Sequence, residues 1–593
     1  MPSKTSLLAA VLHALPAFAA VHEKLTVVPR GWSESAVHDD AEITLSIGLA
    51  QRNIDQLESK LMAVSTPGGL EYGKHLDVDA TRAMFAPSGV ANRAVQSWLK
   101  GAGIRGIHSD GHWVSFTSTV KTVNTLLDTR FAIYDNNGVS ILRTTEYSIP
   151  DDLAGFVDLI FPTTYFGEAA ANTPEGSTYT KRAFDSKISD VEDCKEWMTP
   201  SCIKRLYSVG DYKPDAKSGS RIGFGSFLNQ SCSHSDLFEY EKYFGIPQQA
   251  SSVALFNGAT TRQDSATAHS EEVNVDAQIL VGVSHPLPLI EHITAGSPPI
   301  NPNLNHPAGT NDNEPYLSYF QNLLSQPNSA LPQVITISYN DDEQTVPKSY
   351  ADRVCNMIGM LGLRGVSVLN SSGNNGVGTP CMSNDGEDTI QFTPSFPSTC
   401  PYITSVGGTK GVSPEVAWDQ SSGGFSNYFS QPRYQKAAVE NYLANHISVA
   451  TKNYYQPYTN FKGRGFPDIS AHSVDPCYLA IVNDELYEVC GTSTATSVVA
   501  GIIGLLNDAR LRINKSPLGF INPLLYSLAY TSLNDITEGG SVGCKGVDPE
   551  TLWEIPGAGI VPYASWNATE GWDPVTGLGT PDFQRLKRLV LSI

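Results

Sequence analysis

An α/β protein built on a parallel sheet, preceded by a separate α+β unit, is the fold class this sequence predicts. Three observations carry it. At 593 residues the chain is longer than one hydrophobic core accommodates. From about residue 190 onward, short apolar strands alternate with helical patterns, the arrangement that builds parallel sheets. All nine cysteines lie at or after Cys194, so composition divides the chain at the same place.

The elements follow in order. Residues 1–20 read as a secretory signal peptide: Lys4 is the basic start, "SLLAAVLHALPAFAA" the apolar core, and Ala17 and Ala19 the small-residue cleavage site. The apolar run is too short to span a bilayer. Residues 21–165 form the α+β unit. In it "NRAVQSWLKGAG" is a surface helix, "HWVSF" a strand and "TVKTVNTLLDT" an amphipathic helix, and "RFAIYDNNGVSILRT" is a hairpin turning at Asn137-Gly138. Residues 166–190 are small and polar and carry the dibasic Lys181-Arg182, which suits either a cleavable linker or an ordinary tether. Residues 191–593 hold the α/β unit. Its strands are "RIGFGSF", "SVALFNG", "QVITISY", "GVSVLNSSG" and "ITSVGGT", and among its helices are "PYLSYFQNLL" and "SYADRVCNMIGMLGLRG". A ligand crevice is expected beyond the carboxyl ends of such strands.

Net charge is −20, so nucleic-acid backbones and anionic membranes are excluded as partners. The cysteines fit an oxidising compartment. In "PCYLAIVNDELYEVC" a two-residue turn at Asn483-Asp484 sets Cys477 opposite Cys490 at a non-hydrogen-bonded position, where a disulfide fits. Cys194 and Cys202 form a second local pair, and the odd count leaves at least one thiol free. Glycosylation sequons stand at Asn229, Asn370, Asn514 and Asn567. Asn370 ends an apolar strand, which hides it, and Pro517 close behind Asn514 disfavours that site.

Four stretches could carry chemistry. In "CGTSTATSVVAG", Ser493 stands where a helix starts, which suits a cap as well as a nucleophile; a serine attacks only beside a base. None of the thirteen histidines sits in a setting expected of that base. In "AHSEEVNVDAQILVGV", Ser270 suits an N-cap, and Glu272 and Asp276 share a helix face that continues into Ile279, Leu280 and Val283. Two carboxylates on a buried stripe must be hydrogen-bonded or share a proton; a solvated acidic helix start is the alternative. "GVSVLNSSGNNGVG" puts Ser372, Asn374 and Asn375 at a strand's carboxyl end, where an amide can donate to an oxyanion or simply complete a turn. Near the C-terminus, Asp535 and Asp573 could bind Ca²⁺ with backbone carbonyls, or merely shape turns.

In this order the stretches resemble the sedolisin family of acid serine peptidases, which includes the tripeptidyl-peptidases. "IGLAQRNIDQLESKLMAVSTPGGLEYGKHL" resembles the family's activation prodomain, and "MTPSCIKRLYSVGDY" the start of its mature enzyme. "SSGGFSNYFSQPRYQ", "GFPDISAHS" and "PLGFINPLLYS" are similar to segments of its secreted fungal members. The resemblance implies a subtilisin-like domain with a seven-stranded parallel sheet behind a ferredoxin-like prodomain. It implies a secreted, extracellular zymogen, monomeric, acting on peptides and proteins and most often releasing tripeptides from free N-termini. Endopeptidase action, or a catalytically impaired peptide binder, is the alternative. It further implies Ser493 as nucleophile, Glu272 as base, Asp276 as the carboxylate that orients it, and Asn374 at the oxyanion hole. One Ca²⁺ per chain would be held by Asp535, Ile536, Thr569, Gly571 and Asp573. A Cys381–Cys544 disulfide is likewise implied. Two departures stand out: Asn374 replaces the family's aspartate, and "CGTSTATS" replaces "GGTSASAP", putting Thr494 beside the nucleophile and Ser497 in place of proline.

Overall fold

The computed structural model describes residues 20–593 apart from 26–27, 29–31, 137–138, 165, 167–177, 183–193, 264–269, 297, 307–310, 312 and 550. The signal peptide and most of the linker lie outside the described residues.

The front unit is a four-stranded antiparallel sheet: β1 (Glu42–Leu49), β2 (His108–Ser109), β3 (Trp113–Thr119) and β4 (Val157–Phe161). Between β1 and β2 run α1 (Leu57–Ser65) and α2 (Gly89–Gly101), and α3 (Val120–Leu126) follows β3. The spatial order β2-β3-β1-β4 is that of a ferredoxin-like fold. Helix starts follow local chemistry: the Ser88 hydroxyl accepts from Ala91 N, and that of Thr119 accepts from Thr122 N. Leu45, Ile47, Val95, Leu99, Val114 and Phe116 fill the space between sheet and helices. The hairpin of residues 132–136 and 139–143 pairs as its sequence suggests, its two turn residues lying outside the described ones.

The second unit is the parallel sheet. Its strands are β5 (Ile222–Ser226), β6 (Ser252–Phe256), β7 (Leu289–Thr294), β8 (Val334–Ile337), β9 (Ser367–Ser371), β10 (Thr404–Lys410) and β11 (Ile469–Val474). They lie in the order β6-β7-β5-β8-β9-β10-β11, all seven parallel, with the short Val416–Ala417 antiparallel on the end of β10. Helices α4 (Glu271–Ser284), α5 (Tyr316–Ser325), α6 (Lys348–Leu363) and α7 (Thr492–Leu511) cover it. β7 has no counterpart in the sequence reading, because Glu291 and His292 interrupt its apolar run. Both are buried, and Glu291 Oε1 accepts from the Ser226 hydroxyl and Cys232 N, each at 2.8 Å.

A hairpin, β12 (Tyr478–Val482) and β13 (Glu485–Cys490), delivers the chain to α7. Asn483 and Asp484 both have positive φ, as a two-residue turn of this kind requires. The Asp236 carboxylate accepts from both turn amides at 2.9 Å and so fixes the turn to the body of the domain. Cys477–Cys490 closes the hairpin as expected. Cys194–Cys202 and Cys381–Cys544 are also present, Cys355–Cys400 is a fourth disulfide with no local sequence signal, and Cys232 is a free, buried thiol. Thr178–Arg182, within the linker, lies antiparallel along β13, Thr178 opposite Cys490 and Arg182 opposite Leu486. That part of the linker is a strand, not a loose tether.

The front unit docks on the sheet unit mainly through α6. Leu57 and Leu61 of α1 pack with Met360, Leu363 and Phe520. Buried Arg353 reaches into the front sheet, where Nη1 donates to Leu49 O at 2.8 Å and to Asp158 Oδ2 at 2.5 Å, while the guanidinium lies 5.0 Å from the Trp113 ring centre. His75 plugs a slot between Gly365 and Gly519: a Cβ at either glycine would stand 2.7 Å from its ring. Its Nε2 bonds Pro517 O at 3.0 Å, and its buried Nδ1 has no partner.

Burial lowers the His75 pKa below its ordinary 6.5, the nearby Arg510 charge adding to the effect against the bond to Pro517. A histidine whose docked pKa is depressed supports docking above about pH 6.5 and withdraws that support as pH falls toward the docked value. His75→Gln keeps a donor for Pro517 O and removes the titration. In a Ser493→Ala precursor, acid-induced undocking followed by tryptophan fluorescence should therefore move to lower pH by about half a unit or more.

Candidate active site

The carboxyl ends of β8 and β9 and the start of α7 meet in a narrow polar cleft. Beyond β8 the chain continues as Ser338-Tyr339-Asn340, and beyond β9 as Ser372-Gly373-Asn374. Gly491, at φ 152°, precedes α7 and offers no side-chain cap, so Ser493 is not a capping residue. It is the second residue of a helix buried from Thr492 to Arg510, it is 3% exposed on the cleft wall, and its hydroxyl faces Ser338 O at 3.5 Å.

Helix α4 lies beside α7 and carries the two carboxylates. Every residue from Glu272 to Ser284 is buried, so the helix has no single apolar stripe and the solvated acidic start is excluded. Ser270 holds the N-cap position, but its hydroxyl makes no cap bond; its N–H instead donates to the Glu271 carboxylate. Asp276 is fully buried. Its Oδ1 accepts from the hydroxyls of Ser338 and Ser497, both at 2.7 Å, and its Oδ2 accepts from neither. Burial raises the Asp276 pKa to about 7, even with both hydroxyls stabilising the anion. Glu272, 2% exposed, stands one turn earlier on the same face. The Tyr339 phenol is held protonated first by burial and then by the charges of Glu272 and Asp276.

Asn374 lines the cleft at the mouth of α7. Thr492 N donates to its Oδ1 at 3.0 Å, and the Thr492 hydroxyl does so at 2.8 Å. With its oxygen turned toward Thr492, the amide N–H₂ is left facing away from that residue, on the wall that also carries Ser493. The Thr492 hydroxyl accepts in turn from Gly373 N at 3.2 Å, which ties the β9 turn to the helix start. Ser493 and Asn374 thus share one cleft wall, and Ser338 links Asp276 of α4 to it.

Four contributors have no signal in the local sequence: Ser338, Tyr339, Ser497 as a donor, and Thr492 as the group that sets the Asn374 amide. His306 also lines the cleft, near the half-buried carboxyl of Asp342. Asn370 is buried, as its sequon position suggests, and its amide donates to Ile337 O and Tyr339 O. Asn229, Asn514 and Asn567 are exposed.

The two C-terminal aspartates also converge. Asp535 Oδ2 accepts from Gly571 N at 2.8 Å and Asp573 Oδ2 from Thr569 N at 3.1 Å, so both carboxylates reach one loop. Asp573 is fully buried, and burial raises its pKa to about 7; burial also raises that of Asp535. A buried carboxylate and an exposed one converging on one loop supply hard-oxygen donors of the kind Ca²⁺ takes. Among the described residues no group of three or more acidic, histidine or cysteine side chains could hold a metal, so the remaining donors would have to be carbonyls.

Comparison with known proteins gives consistent matches. Residues 30–166 match the pro-kumamolisin activation domain and residues 303–517 the subtilase family. The chain is 55% identical over 583 residues to tripeptidyl-peptidase sed4 of Aspergillus fumigatus, covering 98% of each. It is 37% identical over 601 residues to tripeptidyl-peptidase SED2 of Arthroderma otae, again covering 98% of each.

Thr492→Val removes the hydroxyl that orients Asn374 while keeping the helix start and the backbone donor. If Asn374 serves the reaction, kcat should fall about tenfold with KM little changed, roughly the cost of loosening one oxyanion donor. Steady-state kinetics on a chromogenic tripeptide, beside a thermal melt, checks it.

Proposed function

The chain belongs to the sedolisin family of serine peptidases, with an activation domain in front of the peptidase, and we propose that it is a secreted zymogen whose mature form releases tripeptides from free N-termini in acid. The boundaries proposed are a signal peptide to residue 20, a prodomain over 21–165, a linker over 166–190 in which cleavage occurs, and the peptidase over 191–593. The observation that carries the chemistry is the pair of hydrogen bonds joining Asp276 to Ser497 on the Ser493 helix and to Ser338 at the end of β8. They bring the carboxylate helix alongside the serine.

In the proposed reaction the Ser493 hydroxyl attacks the scissile carbonyl carbon and Glu272 takes its proton. Asp276 shares a proton with Glu272 and orients it. Because the base is a carboxylate, it is ionised and competent in the acid range, whereas a histidine there would be protonated. The Asn374 amide donates to the oxyanion that forms on the carbonyl oxygen. Collapse expels the amine, protonated by Glu272, and leaves an acyl-serine. Water, deprotonated by Glu272, then attacks the acyl carbon. The bond to Ser493 Oγ breaks, Glu272 returns the proton to that oxygen, and the peptide leaves with a new carboxyl group. An amide donates at any pH, whereas an aspartate in its place donates only when protonated, so Asn374 keeps the oxyanion site working toward neutrality.

The calcium reading is likewise ours. Asp535 and Asp573, with the carbonyls of Ile536, Thr569 and Gly571, would hold one Ca²⁺, which would offset the charge of the buried Asp573 and fix the C-terminal loops. No helix among the described residues is long and apolar enough to cross a membrane.

Acid treatment of the precursor should release the front domain, and Ser493→Ala should keep it; equal processing of both would rule out Ser493 as the agent. Digestion of a protein substrate at about pH 4 should yield tripeptides, and a ladder of internal fragments would show endopeptidase action instead. Chelation of Ca²⁺ should lower the melting temperature by several degrees, and Asp573→Asn should remove that response.

A further inference from the structure

We infer that Ser497 is a positioning residue for the catalytic carboxylates: its hydroxyl holds the anion of Asp276 and confines the exchangeable proton to the far carboxyl oxygen. The inference rests on the assignment of Glu272, Asp276 and Ser493 made above.

The geometry begins with the two helices. Ser493 and Ser497 are four residues apart on α7, as Glu272 and Asp276 are on α4, so each pair presents one helix face. The helices run side by side in the same direction. Ser497 meets Asp276, and further along a Cβ on Gly501 would stand 2.7 Å from Val283. One turn back from the Ser497–Asp276 contact, toward the cleft, stand Ser493 and Glu272. A serine inside a helix commonly turns its hydroxyl back to the carbonyl four residues earlier. Ser497 instead donates across to Asp276 at 2.7 Å.

That donation has two effects. Ser338 and Ser497 both occupy Oδ1, and Oδ2 accepts from no group, so Oδ2 is the oxygen we assign to the proton shared with Glu272. The two O–H donors also stabilise the ionised carboxyl more than the neutral one. Among the described residues, the ionisable groups around Asp276 are Glu272 on its own helix, Tyr339 beyond β8, and the Cys232 thiol. The α7 face contributes only hydroxyls. None of these neighbours is a cation, so hydroxyl donors are what oppose the burial that favours the protonated form. A proline, standing at this position in the family's usual segment, has no donor to offer.

The experiment is the pH dependence of kcat/KM for Ser497→Ala and Ser497→Thr in the matured enzyme, with a chromogenic tripeptide substrate. Loss of the donor raises the energy of the doubly ionised carboxylate pair fully and of the singly ionised pair in part. Both limbs of the bell should therefore move to higher pH, the two shifts together amounting to about one unit, as expected for one hydrogen bond to a charged group. Ser497→Thr keeps the hydroxyl and should restore the original profile. A bell that stays in place for Ser497→Ala, with Ser493→Ala inactive, overturns the inference and leaves the triad assignment standing. Activity surviving in Ser493→Ala overturns the assignment itself, and this inference with it. If the alanine variant does not mature, Ser497→Cys, a weak donor of similar size, is read in the same way.

Discussion

A carboxyl group with no water around it must be answered by the protein, and the answer given to Asp276 organises the rest of the molecule. Burial at that depth pushes the carboxyl toward its neutral form. The two hydroxyls that oppose it come from different elements, one from the end of a central strand and one from the first turns of α7. The carboxylate therefore fixes a helix against a helix and both against the sheet. Small residues keep that contact close: Gly501 and Gly504 of α7 lie where a side chain would strike Val283 or Ile222. The cleft inherits its shape from this packing, since Thr492, Ser493 and the orientation of Asn374 all follow from where the first turn of α7 is set.

Much of this was legible in the sequence, for identifiable reasons. Strands ending in small residues and helices of period 3.6 are local patterns, and five of the seven parallel strands announce themselves that way. The hairpin register follows from a two-residue turn, and with it one disulfide. Glu272 and Asp276 share a face by spacing alone. What remained hidden depends on contacts between distant segments. β7 carries Glu291 and His292, whose burial makes sense only once Ser226 and the Cys232 amide are beside them. Ser338 and Ser497 are 159 positions apart along the chain and gain meaning only when one oxygen of Asp276 brings them together. Cys355 and Cys400 offer no turn from which to count. The resemblance to a family supplied the roles of Ser493 and Asn374, which an isolated glycine-bounded turn leaves open.

The two units also differ in what holds them. Inside the sheet domain, Asp276 and Glu291 each hold one carboxylate oxygen on two fixed donors. Across the boundary to the front unit, the contacts include one apolar cluster, the buried Arg353, a histidine plugged between glycines and a few hydrogen bonds such as Trp113 to Gln321. A cation reaching into a foreign sheet and a neutral ring in a dry slot are both contacts whose strength depends on the surroundings. The boundary is thus the part of the precursor most responsive to conditions, while the core that fixes the cleft is not.

The strand Thr178–Arg182 gives the place of cleavage a structural meaning. In the precursor β13 is flanked on both sides, by β12 and by this strand. A cut before Thr178 leaves the segment attached to the peptidase and β13 covered. A cut after Arg182 lets the segment depart with the front unit and exposes a row of unpaired backbone donors and acceptors beside the nucleophile helix. Open rows of that kind recruit other extended chains. Where maturation severs the linker therefore decides whether the finished enzyme carries an adhesive margin next to its cleft or a sealed one.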